Sequence, residues 1–264
     1  MPRATIDIGG EAFHCRVEGP AGAPALVLSN SLGTNLSMWE PQIPALTSRF
    51  RVVRYDTRSH GQSPLSTLDY GIETLGRDVL HLLDALDIRR AHFCGISMGG
   101  ATGMWLAIHA PERIDRLVLS NTATKFGTPE RWNARIDAVR KGGMPAIADG
   151  VIETWFTPDF RGRAPDAVAR MHEMLLAAPA EPYLAACRAV REIDLSSEIG
   201  RIGQPTLVII GAHDVPTPPT QGRAIAERIA GARLRELPAA HISNVEAARE
   251  FTDELLDFLT AEKP

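Results

Sequence analysis

From residue 25 to residue 210 the sequence repeatedly sets a short apolar run ahead of a helical stripe. The runs cover 25–28, 51–55, 91–94, 116–119 and 206–210. They are short, rich in Val, Leu and Ile, and do not alternate with polar residues. Strands covered on both faces read this way, and parallel sheets are built from such strands. Parallel neighbours also need a crossover of about a dozen residues, usually helical. Leu75, Val79, Leu82, Leu83 and Leu86, between the second and third runs, supply one such stripe. Ahead of the series, Ile6 and Ile8 on one side of Gly9-Gly10 and Phe13, Cys15 and Val17 on the other alternate strictly. That pattern predicts a β-hairpin. The expected fold is α/β: a doubly wound, mostly parallel sheet with an antiparallel start.

The rhythm stops between residues 124 and 194. Helical stripes continue there without a strand, and Pro129, Pro145, Pro158, Pro165, Pro179 and Pro182 mark the expected joints. Trp132, Ile136 and Val139 share one helix face; Val151, Ile152, Trp155 and Phe156 share another. A helical insertion between two strands should lie over the carboxyl ends of the strands, where open α/β sheets bind ligands. The expected organisation is a core of 1–123 and 195–264 with a helical cap of 124–194.

Composition narrows the function classes. A chain of 264 residues buries enough surface to need neither disulfides nor a structural metal. Cys15, Cys94 and Cys187 are odd in number and widely spaced, as reduced thiols are. A net charge of −4 does not suit a phosphate-neutralising nucleic-acid surface. No apolar run approaches the ~18 residues of a membrane span, and the opening MPRATIDIGG has no apolar stretch of the signal-peptide kind. These features predict a soluble cytoplasmic protein.

The chemistry is concentrated in Gly95-Ile96-Ser97-Met98-Gly99, between the run 91–94 and a helical stretch through Trp105. A sharp strand-to-helix turn needs flanking glycines, and it lifts the serine hydroxyl clear of the sheet. The Met98 N–H at the helix start is then available to an oxyanion. A serine needs a base, and in the usual chain order an acid and then a histidine follow. Of the eight histidines, only His213 and His241 come after an acid that follows Ser97 at a strand end. His213 is adjacent to Asp214, and adjacent residues on an extended loop point apart, so His241 is the candidate base. Asp214, just past the run 206–210, is the candidate orienting acid. Asp194 and Asp115 are its rivals. A second oxyanion donor should come from the loop after 25–28, where the Leu32 N–H is the candidate.

With these residues in place, the chain resembles the α/β-hydrolase superfamily over its whole length. Within it, the chain looks like the 3-oxoadipate enol-lactonases of aromatic catabolism. The resemblance rests on Ser29-Asn30-Ser31-Leu32-Gly33 (where relatives have His-Gly), Tyr55-Asp56-Thr57-Arg58, His92 to Gly100, Gly211-Ala212-His213-Asp214 with Thr217-Pro218-Pro219, and Ala239 to Asn244. The serine turn is shared by very many hydrolases, whereas the Ser-Asn-Ser-Leu-Gly loop and the Ala-His-x-Ser-Asn tail discriminate further. One departure stands in Arg58-Ser59-His60-Gly61, where Ser59 replaces the family's common glycine. It raises the question whether that position needs a positive φ.

The resemblance implies opening of 3-oxoadipate enol-lactone through an acyl-enzyme on Ser97, with no metal or organic cofactor. Such a substrate is a small anionic lactone, so cationic groups must gather locally in a net-negative protein. Trp132 and Arg135, three apart on one expected helix face, are candidates for covering the ring and pairing the carboxylate. Trp155 is a further candidate for substrate contact. Other readings are another capped hydrolase (a carboxylesterase, a carbon–carbon bond hydrolase or a cofactor-free perhydrolase) and a ligand-binding protein without turnover. A dehalogenase would carry a carboxylate where this chain has Ser97.

Overall fold

Eight strands form one sheet in the computed structural model, which describes residues 4–261. In chain order they are β1 (Ala4–Ile8), β2 (Glu11–Glu18), β3 (Ala25–Ser29), β4 (Arg51–Tyr55), β5 (Ala91–Ile96), β6 (Ile114–Ser120), β7 (Thr206–Gly211) and β8 (Arg233–Leu237). Their spatial order is β1-β2-β4-β3-β5-β6-β7-β8. The β1–β2 and β2–β4 pairings are antiparallel, and the remaining pairings are parallel. The opening hairpin sets Ile8 opposite Glu11, and Gly9 and Gly10 hold φ of +62° and +87°. A two-residue turn that matches strand twist requires those positive values. β3, β5 and β7 are buried at every position, as their unbroken apolar runs predict.

No apolar run marks β8, which reads Arg-Leu-Arg-Glu-Leu and was not anticipated. It lies at the sheet edge beside β7. Charged side chains are what protects an exposed edge from pairing with other chains, so the edge position itself removes the sequence signal.

The helices are α1 (Ile43–Leu46), α2 (Ile72–Ala85), α3 (Met98–His109), α4 (Pro129–Gly142), α5 (Pro145–Trp155), α6 (Pro158–Arg163), α7 (Pro165–Leu176), α8 (Ala180–Arg191), α9 (Pro219–Arg228), α10 (Ser243–Glu246) and α11 (Ala248–Thr260). α3 is buried along its length except at His109 and packs on β5 and β6. Five helices, α4 to α8, occupy the stretch between β6 and β7. Four of them start on a proline, where the missing N–H costs nothing and the fixed φ already suits a helix. Pro179 caps α8, but Pro182 lies inside its first turn and marks no joint. The chain leaves and rejoins the sheet region at one place: Leu195 N–H donates to Thr124 O at 2.9 Å, and Lys125 bridges to Asp194.

Ser59 has a φ of +68°. The position does take a left-handed backbone, and the serine adopts it at a cost of about 1–2 kcal/mol. Its N–H donates to Pro64 O at 2.8 Å and its hydroxyl to Ser66 O at 3.1 Å, which hold it there. Among the described residues no helix is long and apolar enough to cross a membrane.

Candidate active site

Ser97 stands between the end of β5 and the start of α3, with φ +56° and ψ −117°. A side-chain-bearing residue holds such a backbone only where its surroundings fix it. Ser97 N–H donates to Ser120 O at 3.0 Å, and Ser97 O accepts from Thr122 Oγ1 at 2.7 Å. A Cβ on Gly95 would come within 2.1 Å of Gly99 O, and one on Gly99 within 2.3 Å of Ser29 O. Close backbone approach therefore requires both glycines. Gly99 N–H donates to Asn30 O at 3.1 Å, joining the serine turn to the loop after β3. Asn30 is clamped in turn: its Nδ2 donates to Tyr55 O at 2.8 Å and its Oδ1 accepts from Trp39 Nε1 at 2.9 Å. Met98 opens α3, so the helix itself offers its N–H no acceptor.

Asp214 and His241 sit beyond the carboxyl ends of β7 and β8. Both Asp214 carboxylate oxygens lie 3.0 Å from His241 Nδ1. A carboxylate can only accept, so Nδ1 carries the hydrogen, and in the neutral imidazole the lone pair is then on Nε2. Asp214 also accepts from Thr217 N–H at 3.0 Å, Thr217 Oγ1 at 2.7 Å and Asn121 Nδ2 at 2.9 Å. Burial pushes the Asp214 carboxyl up. The His241 charge and the hydrogen bonds from His241, Thr217 and Asn121 outweigh that and hold it below its ordinary value.

Ser97 and His241 open onto one cavity, which Leu32 and Met98 also line. Trp132, Arg135 and Trp155 line it from α4 and α5. The structure thus gathers every candidate residue at one place, with Asp214 standing behind His241. Arg131 joins Arg135 in the lining, and no carboxylate does among the described residues. The cavity is therefore cationic within a net-negative chain. The Arg135 guanidinium lies 5.2 Å from the Trp132 ring centre, and Trp132 Nε1 donates to Phe126 O at 2.5 Å. The rival acids are elsewhere. Asp194 accepts from Lys125 Nζ at 2.9 Å in a half-exposed pair that pulls its carboxyl down to about 2. Asp115 lies at the opposite end of β6, 3.2 Å from Arg90.

A family model described as alpha/beta hydrolase fold matches residues 24–162. The chain is 46% identical to 3-oxoadipate enol-lactonase 2 of Acinetobacter baylyi over 247 residues, 94% of this chain and 92% of the relative. It is 40% identical to 3-oxoadipate enol-lactonase 1 of the same organism, over 92% of this chain and 91% of the relative. The chain belongs to the α/β-hydrolase fold family. The crystal structure of the enol-lactonase from Burkholderia xenovorans LB400 superposes with a TM-score of 0.95 at 48% identity, covering 98% of this chain and all of that one.

Two site residues of this α/β-hydrolase escaped the sequence reading. Asn121, just past β6 with φ +44°, donates to both Asp214 and Ala240 O, and its Oδ1 accepts from Ser243 Oγ at 2.6 Å. It ties the acid's loop to the histidine's. Its position two residues past the run 116–119 was the available signal. Glu246 is buried and accepts from Ala240 N–H at 2.9 Å and from Thr157 N–H at 3.2 Å. Thr157 Oγ1 donates to it as well. Nothing in the sequence pairs Glu246 with Thr157. Among the described residues no group of three or more His, Cys, Asp or Glu side chains is placed to hold a metal.

Proposed function

We propose that this chain hydrolyses 3-oxoadipate enol-lactone to 3-oxoadipate in the cytoplasmic breakdown of aromatic compounds, using Ser97, His241 and Asp214. Identity of 40–46% to two enol-lactonases over more than nine-tenths of the chain supports the substrate. The observation that carries the chemistry is the Asp214–His241 pair at 3.0 Å, with His241 and Ser97 on one cationic cavity.

Ser97 Oγ attacks the lactone carbonyl while His241 Nε2 takes its proton. The Leu32 and Met98 N–H groups receive the oxyanion of the tetrahedral intermediate. Collapse of that intermediate breaks the ring C–O bond, and His241 returns the proton to the departing enol oxygen. The enol then tautomerises to the ketone. Water, deprotonated by His241, attacks the acyl-enzyme, and Ser97 leaves with the proton. Asp214 holds the imidazole in the required tautomer and stabilises the imidazolium. Arg135, with Arg131 nearby, pairs the substrate carboxylate, while Trp132 and Trp155 cover the ring. In this reading residues 124–194 form a cap over the core of 1–123 and 195–264.

The test is a side-by-side assay of the enol-lactone, 4-nitrophenyl acetate and a carbon–carbon cleavage substrate, with Ser97→Ala beside the parent. Enol-lactone should be turned over fastest, and folded Ser97→Ala should lose about 10⁴-fold or more in kcat. Faster cleavage of another substrate overturns the substrate assignment. Near-parental turnover by Ser97→Ala overturns the mechanism, and the absence of any turnover leaves a binding protein.

A further inference from the structure

We propose that His60 is a positioning residue for the oxyanion loop, and that the loop is competent only while His60 is neutral. The inference rests on the serine-hydrolase reading and adds a residue to it. His60 is buried in the loop after β4 and does not line the cavity with Ser97. Its Nε2 lies 2.9 Å from Gly33 N and its Nδ1 lies 3.0 Å from Arg58 O. The partners dictate the tautomer. A carbonyl can only accept, so Nδ1 carries the hydrogen; a backbone N–H can only donate, so Nε2 must offer its lone pair.

Gly33 follows Leu32, whose N–H is the candidate oxyanion donor. Fixing the Gly33 N–H fixes the plane of the Leu32–Gly33 peptide and restrains the one before it. The rest of the loop is anchored separately: Thr34 N–H and Oγ1 both donate to Ser31 O, at 3.2 and 2.7 Å, and Leu36 N–H donates to Asp56 Oδ1 at 2.8 Å. Protonating His60 would set an Nε2–H against the Gly33 N–H, two donors face to face in a buried site. The loop would have to move to separate them.

The groups around His60 do not favour its charge enough to prevent this. Asp56, just past β4, is the anion that favours its charge, but its Oδ2 already accepts from His14 Nδ1 and Gln62 N–H, both at 2.8 Å. Arg16 and His14 of β2 line the second cavity that His60 borders, and α7 presents only Met174, with Ala177 and Ala178 beyond it. Burial lowers the His60 pKa from 6.5, against opposing contributions from the Arg58 carbonyl and Asp56. At His60 the unfolded chain therefore binds more protons than the folded one just below pH 6.5, and the stability this residue contributes falls as the pH drops through that window.

The experiment compares His60→Leu and His60→Gln with the parent and with Ser97→Ala, on enol-lactone and 4-nitrophenyl acetate from pH 5 to 8.5. Circular dichroism confirms folding at each pH. A glutamine oxygen can take the place of Nε2 as acceptor and does not titrate. His60→Leu should lose about 10²-fold in kcat with little change in KM, the size expected for a displaced oxyanion donor. His60→Gln should recover most of that loss. His241 must be neutral in every variant, so each loses activity on acidification by one proton; the parent should fall more steeply at its acid end, and His60→Gln should not. Imidazole nitrogen NMR of the parent at pH 7 should show His60 protonated on Nδ1 alone, which tests the geometry without any turnover. Full kcat in folded His60→Leu, equal loss in the Leu and Gln variants, or the Nε2–H tautomer overturns the proposal. Turnover that survives Ser97→Ala overturns the hydrolase reading instead, and the tautomer result still decides the geometry.

Discussion

The two walls of the cavity are held in place by different means. On the sheet side, Ser97, Leu32 and His241 stand on turns beyond strand ends and Met98 opens α3, and the backbones around them are cross-linked over long sequence separations. Gly99 reaches Asn30, Ser97 reaches Ser120, and Asn121 reaches both Asp214 and Ala240. On the helical side, Trp132, Arg135 and Trp155 project from α4 and α5, whose backbone hydrogen bonds are almost all within the helix. The exception is Trp155 O at the end of α5, which accepts from Ile242 N–H at 3.2 Å. Geometry on the first wall is shared among partners that cannot move singly. Geometry on the second depends on how whole helices pack. Chemistry that tolerates little misplacement belongs on the first wall, and recognition that varies between substrates can be carried by the second.

Changes on the sheet-side wall should act on kcat, and the acid gives the largest effect after the nucleophile itself. Asp214→Asn keeps the volume but offers His241 an amide, which favours the wrong tautomer. A loss of about 10⁴-fold in kcat is expected, with KM nearly unchanged. Stopped-flow turnover of the enol-lactone checks it, and a loss below about tenfold would show that Asp214 does not orient the base.

Gly99→Ala tests whether this wall is as tight as the distances say. The new Cβ would stand 2.3 Å from Ser29 O and 2.6 Å from Ser29 C, both backbone atoms that no rotamer can relieve. The β3 loop and the serine turn must separate, at about 1–3 kcal/mol of stability and about 10²-fold in kcat. A variant with parental melting temperature and parental kcat would mean that the two loops slide freely.

On the helical wall the effect should move to KM. Arg135→Ala should weaken binding of the anionic lactone by about 1.5–3 kcal/mol, the range for a hydrogen bond to a charged group, while sparing 4-nitrophenyl acetate. Equal losses on both substrates would show instead that Arg135 supports the packing of α4, where it lies over Trp132.

The same division decides what could be read from sequence. The sheet-side wall was legible because its elements leave local signatures: an unbroken apolar run, then glycines where two backbones meet. β3, β5 and β7 announce themselves, and so do Gly95, Ser97 and Gly99. β8 does not, because an edge strand carries charge. Asn121, His60 and Glu246 were not legible as partners, since each acts through a contact that exists only after distant loops meet. His60 lies 27 residues from Gly33, and Glu246 lies 89 from Thr157. For the helical wall, periodicity gave the faces carrying Trp132 and Trp155 but not the packing that turns them toward Ser97.

Besides the backbone bond from Ile242 N–H to Trp155 O, a side-chain contact crosses between the walls, and it should give the smallest effect. Glu246 accepts from Ala240 N–H, next to His241, and from the N–H and hydroxyl of Thr157 at the start of α6. Thr157 Oγ1 also accepts from Phe160 N–H at 3.2 Å and so caps α6. Thr157→Val removes both hydroxyl contacts but leaves the backbone N–H and the Ala240 bond in place. A loss of about 1.5–3 kcal/mol is expected, or several degrees in Tm for a chain of this size. Thr157→Ser keeps the oxygen and should stay within about 0.5 kcal/mol of the parent. Because Ala240 remains bound, kcat should fall less than about tenfold in either variant. If Thr157→Val instead loses kcat on the scale of Asp214→Asn while still folded, the two walls are not separate. His241 would then be held in register by α6 through Glu246.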